Sequence, residues 1–538
     1  MIAWGSFRNA PPGAAGSYTV DNYLRAYQSA GLLRALWNSI VFGVGSSVIS
    51  FAGGTFLAWV TERTDTPFRK IIYALVLFPV IVPAVLFATS WLFLLNPKIG
   101  IINKLATLLF GLDHPIVNSY SMGAMIWAQG VDHFGLPFLL MAAAFRSMDP
   151  SLEEAAQVAG AGMVRTLRTV TLPLLVPAVL ATLLITFIRS IETFEVPAVM
   201  GIPAGIPFFA TEIWLAVSRK QPPDFNLSAT FSMGYMLICV IGIYLYHRAT
   251  QMSEKYVTVT GKGYRPTRLK LGVWRLPTAG FCLFLLTVTI LLPVLVFIWT
   301  SLMPYYAVPS WEALSRITLK NYRYVLTLED TYEALYNNLA VGCGASVAGV
   351  LFAAVISWVV LRTRMPGRRL LDIFSFAPIA VPATVMGLAL LWLYLTVPIP
   401  IYGTLWILIL GFMSKYMTYA VRATHASLTQ IHPEMEEASA ACGASWLRTF
   451  TRVTLPLMVP GLLIGFLFIL SLSFRVLGLP IMISHTKTRM LPMLIFAFYQ
   501  DGGYGLLCVL GVLIMLLLLV ISGISWYVGK RLGVQEAE

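Results

Sequence analysis

Two stretches of the chain repeat each other and decide its fold: EEAAQVAGAGMVRTLRTVTLPLLVP at 153–177 and EEASAACGASWLRTFTRVTLPLMVP at 436–460. A shift of 283 residues superposes them with 14 of 25 positions identical. Each stretch runs from an acidic pair through small residues to a glycine, and then to Leu-Pro ahead of an apolar run. This order predicts a short helix, a sharp turn at Gly160 or Gly443, and the start of a membrane-spanning helix. Because both copies are predicted to lie on the same side of the membrane, the two halves have the same orientation and form a parallel internal repeat.

The repeat extends toward the N-terminus of each half. A shift of 299 residues places TVDNY (19–23) on TLKNY (318–322) and also aligns two pairs of prolines, Pro79 with Pro378 and Pro83 with Pro382. The change of shift from 299 to 283 arises because the loop near 96–118 is longer in the first half. The agreement therefore covers most of both halves.

Composition places this repeat in a membrane. Of the 538 residues 58% are apolar and 11% are charged, and the mean hydropathy is +0.78. Stretches of about 20 apolar residues, long enough to cross a hydrocarbon layer of roughly 30 Å, recur along the chain. They lie near 36–60, 71–95, 119–142, 174–197, 227–247, 276–301, 334–361, 371–396, 402–424, 457–480 and 505–528. We expect an all-α polytopic membrane protein with about eleven transmembrane helices, five in the first half and six in the second.

Basic residues set the orientation and the domain boundaries. Placing alternate loops in the cytoplasm puts 22 of the 37 Lys and Arg residues on that side, as the positive-inside rule requires. We predict a first transmembrane half at 1–250, a basic cytoplasmic linker at 251–275 and a second transmembrane half at 276–538. The first half begins one span short, which puts its N-terminus outside; either that helix is absent or the start codon is placed too late. Segments 203–226 and 481–504 are predicted to contain short amphipathic helices at the membrane surface.

The duplicated stretches resemble the cytoplasmic "EAA loop" of permeases in binding-protein-dependent ABC importers. The resemblance implies the type I importer permease fold, with both halves fused and each loop forming a coupling helix against an ATPase subunit. The residues it assigns to coupling are Glu153, Glu154, Ala155, Ala156, Gly160, Glu436, Glu437, Ala438, Ser439 and Gly443. It implies two copies of a cytoplasmic ABC ATPase, an extracytoplasmic solute-binding protein and a location in the bacterial cytoplasmic (inner) membrane. The alternative is a surface helix that fits the spacing twice by chance.

The substrate is indicated only by finer resemblance. The fused halves, the TVDNY and TLKNY segments and SIETFEVPAVMG (190–201) look most like iron(III) permeases and their polyamine, thiamine and phosphonate-type relatives. Iron(III) is the preferred substrate, and the others remain alternatives. A secondary transporter that works without ATP is the rival from another class, since such proteins also contain repeats and buried charges.

Motifs for chemistry are missing from the sequence. No G-x-x-x-x-G-K-[ST] phosphate loop occurs, so ATP hydrolysis is expected from a separate subunit. No set of residues with nucleophile–base or metal-ligand spacing appears, which argues against an intramembrane enzyme, and we expect no cofactor. The net charge of +13 lies in short loops between apolar spans, so nucleic acid is not an expected partner.

Six ionisable residues fall inside predicted spans, where charge is costly and usually functional. They are Asp132, Arg189, Glu192, Glu195, Lys415 and Arg475. The 283-residue shift places Asp132 on Lys415 and Glu192 on Arg475, so equivalent positions carry opposite charges. We predict that these residues line or gate the translocation path, with Asp132 meeting Lys415 and Glu192 meeting Arg475 across the pseudo-twofold axis. The alternatives are structural ion pairs that fasten the halves or, if the pairs do not form, substrate contacts at Glu192 and Glu195.

Overall fold

The computed structural model describes residues 1–28, 30–112, 114–148, 155–156, 158–254, 269–397 and 399–531. Within these residues every regular element is a helix, and the helices form two halves of the same design. The predicted all-α polytopic fold with two parallel repeats is confirmed.

The helices of the first half follow the predicted spans. They are α1 (Ile2–Ser6), α2 (Asp21–Gln28), α3 (Ala30–Arg63), α4 (Arg69–Leu77), α5 (Ala84–Leu95), α6 (Ile101–Phe110), α7 (Met122–Asp132), α8 (Gly135–Ser147), α9 (Leu172–Glu192), α10 (Phe209–Ser218) and α11 (Phe225–Glu254). A 3₁₀ turn, Phe78–Ile81, joins α4 to α5. Short helical segments at Met163–Thr171 and Pro197–Ala204 flank α9.

The second half follows the same order with three differences among the described residues: a long helix is added at its start, α6 has no counterpart, and one continuous helix stands in place of α7 and α8. Its helices are α12 (Arg275–Leu286), α13 (Leu292–Ser301), α14 (Lys320–Thr327), α15 (Glu329–Arg362), α16 (Arg368–Phe376), α17 (Ala383–Thr396), α18 (Leu405–Gln430), α19 (Glu434–Ala441), α20 (Val459–Arg475), α21 (Leu491–Gln500) and α22 (Tyr504–Arg531). A π turn, Thr287–Leu291, makes α12 and α13 one continuous span. Short turns of helix lie at Gly272–Trp274, Trp311–Leu314, Ala377–Ala380, Trp446–Leu457, Pro480–Ile483 and Thr486–Thr488.

Each of the eleven predicted spans coincides with one of these helices or with a broken helix pair. By length and composition alone, the described residues contain six helices able to cross a membrane, or ten if each strongly bent pair counts as one span. The pair α4–α5 bends by 104° and the pair α16–α17 by 110°. The bends fall where a proline, Pro83 or Pro382, follows an extended residue, because proline cannot donate the backbone hydrogen bond that would continue the helix.

One helix from each half, α5 in the first and α17 in the second, packs against helices of the other half. All residues of α5 from Val85 to Leu95 are buried, and this helix packs on α13 and α21 of the second half as well as on α7. Its counterpart α17 packs in turn on α1, α10 and α11 of the first half. The core of the molecule therefore lies where the halves meet.

The related pentapeptides TVDNY (19–23) and TLKNY (318–322) make the same local hydrogen bonds in the two halves. Asn22 donates to the carbonyls of Ser6 and Arg8 at 2.9 and 2.6 Å, and Asn321 donates to those of Ser301 and Met303 at 3.2 and 2.7 Å. The following tyrosine hydroxyls, Tyr23 and Tyr322, each lie 2.8 Å from a serine hydroxyl, Ser6 or Ser301. The short helix α1 therefore occupies the same position relative to α2 as the last turn of α13 does relative to α14.

The predicted linker is described only at its two ends. α11 continues to Glu254, and residues 255–268 lie outside the described residues. At the far end Leu269 exchanges backbone hydrogen bonds with Arg63 and Asp65 at 2.9 and 3.1 Å. The chain entering the second half is thereby tied to the predicted cytoplasmic loop after α3.

Candidate functional site

Breaks in two spanning helices expose backbone carbonyl groups between the halves. At each break a 3₁₀ turn, Phe78–Ile81 or Ala377–Ala380, ends without a continuing helix to donate N–H groups to all of its carbonyl oxygens. A carbonyl that no water reaches requires a donor from elsewhere in the protein. Both breaks receive a basic side chain.

Arg475, the last residue of α20, serves the first break. Its Nη1 donates to the Pro79 carbonyl at 2.7 Å, and its Nη2 lies 2.7 Å from both carboxylate oxygens of Asp132. The two side chains are 15% and 6% exposed, so the ion pair is largely desolvated. One guanidinium therefore joins the carboxyl end of α7 in the first half to the end of α20 in the second.

Lys415, in the middle of α18, serves the second break. Its Nζ donates to the carbonyls of Val381 and Pro378 at 2.6 and 3.3 Å and lies 2.6 Å from Glu192 Oε1. The lysine and glutamate side chains are 3% and 8% exposed. This buried pair again has its acid in the first half and its base in the second.

The predicted pairing of Asp132 with Lys415 and of Glu192 with Arg475 is wrong. The partners are crossed, Asp132 with Arg475 and Glu192 with Lys415. The reason is geometric, because equivalent residues of a two-fold arrangement touch only on the axis itself. A contact between two non-equivalent positions off the axis occurs twice, once on each side. The two observed ion pairs are one such contact and its repeat, and the acidic and basic residues change places between them.

Arg189 and Glu195 also lie beside the crossed pairs, but without counterparts in the second half. Arg189 Nη1 is 3.4 Å from Glu192 Oε2, one turn along α9. Glu195 Oε1 accepts the backbone N–H of Leu477 at 2.8 Å, and its Oε2 accepts that of Phe194 at 3.2 Å. The 283-residue shift puts Leu472 and Gly478 at the matching positions. Glu195 thus braces the first half against backbone of the second.

His133 is a member of this cluster that the sequence analysis missed. Its Nε2 lies 2.9 Å from Gln129 Nε2 and 3.8 Å from Asp132 Oδ2, and its Nδ1 lies 3.4 Å from the Ser190 hydroxyl. Its position next to Asp132 in the sequence could have indicated that it belongs to the charged cluster. No group of three or more His, Cys, Asp or Glu side chains able to hold a metal ion occurs in the described part of the chain.

The two predicted surface helices exist, but each has a buried face. α10 buries Phe209, Ile213 and Trp214, and α21 buries much of its length from Leu491 to Phe496. Trp214 and Phe496 meet edge to face with ring centroids 5.9 Å apart. These apolar faces pack inside the bundle, and a position of α10 and α21 at the membrane surface remains a prediction.

The two segments predicted to couple to an ATPase lie beside the ends of spanning helices. In the second half, α19 spans Glu434–Ala441; Glu437 and Ala438 are exposed, whereas Glu436 and Ser439 are half-buried. Gly443 follows with φ +80°, and Gly160 in the first half has φ +84°, the left-handed conformation that favours glycine at a helix end. Ala155 and Ala156 are helical, whereas Glu153 and Glu154 lie outside the described residues.

Comparison with known proteins agrees with this duplicated design. Over 532 residues the chain is 25% identical to "Ferric transport system permease protein FbpB" of Actinobacillus pleuropneumoniae, which covers 95% of this chain and 74% of that protein. It is 30% identical over 210 residues to "Putative 2-aminoethylphosphonate transport system permease protein PhnV" of Salmonella typhi, covering 38% of this chain and 77% of that protein.

Solved structures and a family profile complete the comparison. A chain of a bacterial ABC transporter involved in the import of the acidic polysaccharide alginate is 20% identical, with a TM-score of 0.40, covering 48% of this chain and 89% of that chain. The family described as "Binding-protein-dependent transport system inner membrane component" matches residues 50–251 and 345–533, one region in each half. With most of its length matched, the chain belongs to the family of binding-protein-dependent transport system inner membrane components, as a multi-pass permease.

Proposed function

We propose that this permease imports iron(III), received from an extracytoplasmic solute-binding protein, with energy from two copies of a cytoplasmic ABC ATPase. The observation that supports a transport path between the halves is the presence of two ion pairs, one at each helix break, that join the halves. Asp132 with Arg475 and Glu192 with Lys415 bridge the halves at pseudo-equivalent sites. In this proposal the pairs are joined when the path is shut and separate when the halves move apart.

The charges suit a gate because they are balanced only while the halves touch. The charged cluster between the halves holds three acids, all in the first half, and three bases, of which Lys415 and Arg475 are in the second half. Separation of the halves uncovers Asp132 and Glu192 on one wall, and oxygen ligands of this kind suit a hard cation such as iron(III). Glu192 and Glu195 are therefore candidate substrate contacts in the open state, since both are occupied by protein donors in the closed one.

Relatives named for ferric transport support iron(III), at 25% identity. A second candidate, a phosphonate-like anion, is favoured by the opposite wall, where Lys415 and Arg475 would face the open path as cations. Relatives named for 2-aminoethylphosphonate transport match part of the chain. Polyamine and thiamine have no comparable observation in the structure.

The two coupling segments are the proposed ATPase contacts. α19 and the segment around Ala155 and Ala156 occupy equivalent places in the two halves. Two equivalent contacts in one chain fit two copies of the same ATPase subunit. A secondary transporter would have no use for them.

Uptake into proteoliposomes tests the proposal. The permease would be reconstituted with its ATPase and binding protein, and uptake of ⁵⁵Fe(III) and of radiolabelled 2-aminoethylphosphonate compared with and without ATP. Iron uptake that needs both ATP and the ATPase is the expected result. ATP-dependent uptake of the phosphonate alone would favour the second candidate, and uptake without ATP would contradict the importer mechanism.

A further inference from the structure

The acidic pair that opens the second coupling segment has two unlike members. The Glu437 side chain is exposed, and its carboxylate has no hydrogen bond or ion pair within the described part of the chain. The Glu436 side chain turns inward and is 15% exposed. Adjacent glutamates on one helix therefore face in different directions.

The Glu436 carboxylate is held by three side chains from two other elements. Its Oε1 accepts from the Thr454 hydroxyl at 2.9 Å and lies 3.6 Å from Arg362 Nε, and its Oε2 accepts from Trp358 Nε1 at 3.3 Å. Trp358 and Arg362 are one turn apart at the end of α15. Thr454 closes the π turn that leads toward α20.

Arg362 extends this contact to a further helix. Its Nη2 donates to the Leu428 carbonyl at 3.0 Å and also to that of Ile431, at the carboxyl end of α18. The Trp358 ring lies 5.1 Å from the Trp446 ring, just beyond Gly443. The helices α15, α18 and α20 also pack directly on one another. Glu436 thus ties the coupling helix to the group of helices that carries Lys415 and Arg475.

We propose that Glu436 is a positioning residue that latches α19 to α15, α18 and α20, while Glu437 is the member of the pair that faces the ATPase. The latch makes the coupling helix move as one body with the bases of the two ion pairs. This inference rests on the proposed function for its consequence, but the latch itself is a property of the permease alone.

The sequence of the first half carries the same residue types at the matching positions. Trp59, Arg63 and Thr171 align with Trp358, Arg362 and Thr454. Arg63 and Thr171 are buried, with 6% and 3% of their surfaces exposed. Arg63 is buried at the end of α3, so it does not act as a solvated surface charge. This burial supports a structural role for the Trp, Arg and Thr residues in both halves.

A spin label on Cys442, the exposed residue that ends α19, reports on the latch directly. The background is Cys343→Ser, because Cys343 is the other exposed cysteine and the remaining three are buried. In the purified permease without ATPase, Glu436→Gln should raise the mobile fraction of the label by roughly tenfold, the effect of losing one charge-assisted hydrogen bond. The matched control Glu437→Gln should leave the spectrum unchanged. Trp358→Phe, which removes one donor and keeps an aromatic ring, should give an increase in the same direction.

Reconstitution with the ATPase separates the latch from docking. We expect Glu436→Gln to keep the ATPase bound during purification but to transport less substrate per ATP hydrolysed, whereas Glu437→Lys should weaken ATPase binding at this segment and lower the amount of ATPase that co-purifies. Glu436→Asp, which keeps the charge, should recover part of the coupling. Equal label mobility in Glu436→Gln, Trp358→Phe and the parent would overturn the latch, whatever the transport assays show. Loss of ATPase binding in Glu436→Gln without a change in mobility would make Glu436 a docking residue and would also overturn it.

Discussion

Removal of the Lys415 ammonium group should destabilise the permease strongly. Lys415→Met deletes the 2.6 Å ion pair with Glu192 and the hydrogen bonds to Val381 and Pro378. Breaking a buried pair by removing one partner costs about 3–5 kcal/mol, because the remaining charge is stranded. Glu192 keeps Arg189 at 3.4 Å, which softens the loss, so we expect a cost near the lower end, about 3 kcal/mol.

A double-mutant cycle then identifies the true partner. The variant Lys415→Met with Glu192→Gln leaves no stranded charge, so it should recover most of the stability lost in Lys415→Met. The free energy of unfolding would be measured in detergent by tryptophan fluorescence. We expect a coupling energy of about 2 kcal/mol between Glu192 and Lys415, within the range for directly interacting residues.

The control cycle uses the pair that sequence equivalence suggested. Asp132→Asn combined with Lys415→Met should be additive within about 0.5 kcal/mol, as for residues that share no contact. If Glu192 and Lys415 prove additive, or if Asp132 and Lys415 couple as strongly, the crossed arrangement is refuted. Asp132→Asn combined with Arg475→Met should repeat the strong coupling at the other pair.

Three further predictions concern the gate and the coupling segments. Asp132→Arg should abolish substrate uptake, and adding Arg475→Asp should restore a substantial part of it, because the exchange rebuilds the pair; no recovery in the double variant would contradict a gating pair. Glu154→Lys with Glu437→Lys should leave the protein inserted but uncouple ATP hydrolysis from uptake, and full uptake by this variant would rule out the coupling assignment. Gly443→Ala should cost about 1 kcal/mol of stability, because φ +80° strains any residue with a Cβ; Gly280→Ala, in a helix with equally open surroundings, is the matched control and should not destabilise in the same unfolding assay.

Much of the fold could be predicted because it depends on patterns local to the chain. The length of the apolar stretches predicted every span, and the shifts of 299 and 283 residues identified the duplication. Pro83 and Pro382 also marked the helix breaks, although the sharp bends follow only when the chain on both sides is packed. The partners of α10 and α21 could not be predicted, because a short amphipathic helix has the same pattern whether its apolar face meets lipid or the interior of a bundle.

The charged site shows where sequence equivalence stops being informative. The 283-residue shift correctly grouped Asp132, Glu192, Lys415 and Arg475, and their opposite charges correctly indicated contact between the halves. Equivalence identifies residues at matching depth, but partners are set by the distance of each helix from the axis. His133 and the capped carbonyls of Pro79 and Val381 could not be found this way, since they depend on helices brought together only by tertiary packing.

The distribution of charge in the crossed pairs has a consequence for how the halves recognise each other. Both positions are acidic in the first half and both are basic in the second. In an assembly of two first halves, the same contacts would place acid against acid twice, and two second halves would place base against base. Like charges brought together in a buried contact disfavour such assemblies. A single permease half used twice could form two identical bridges only with one acid and one base in each copy. In this chain each half instead carries one sign of charge at both positions, so that the ion pairs which join the halves also specify that unlike halves pack against each other.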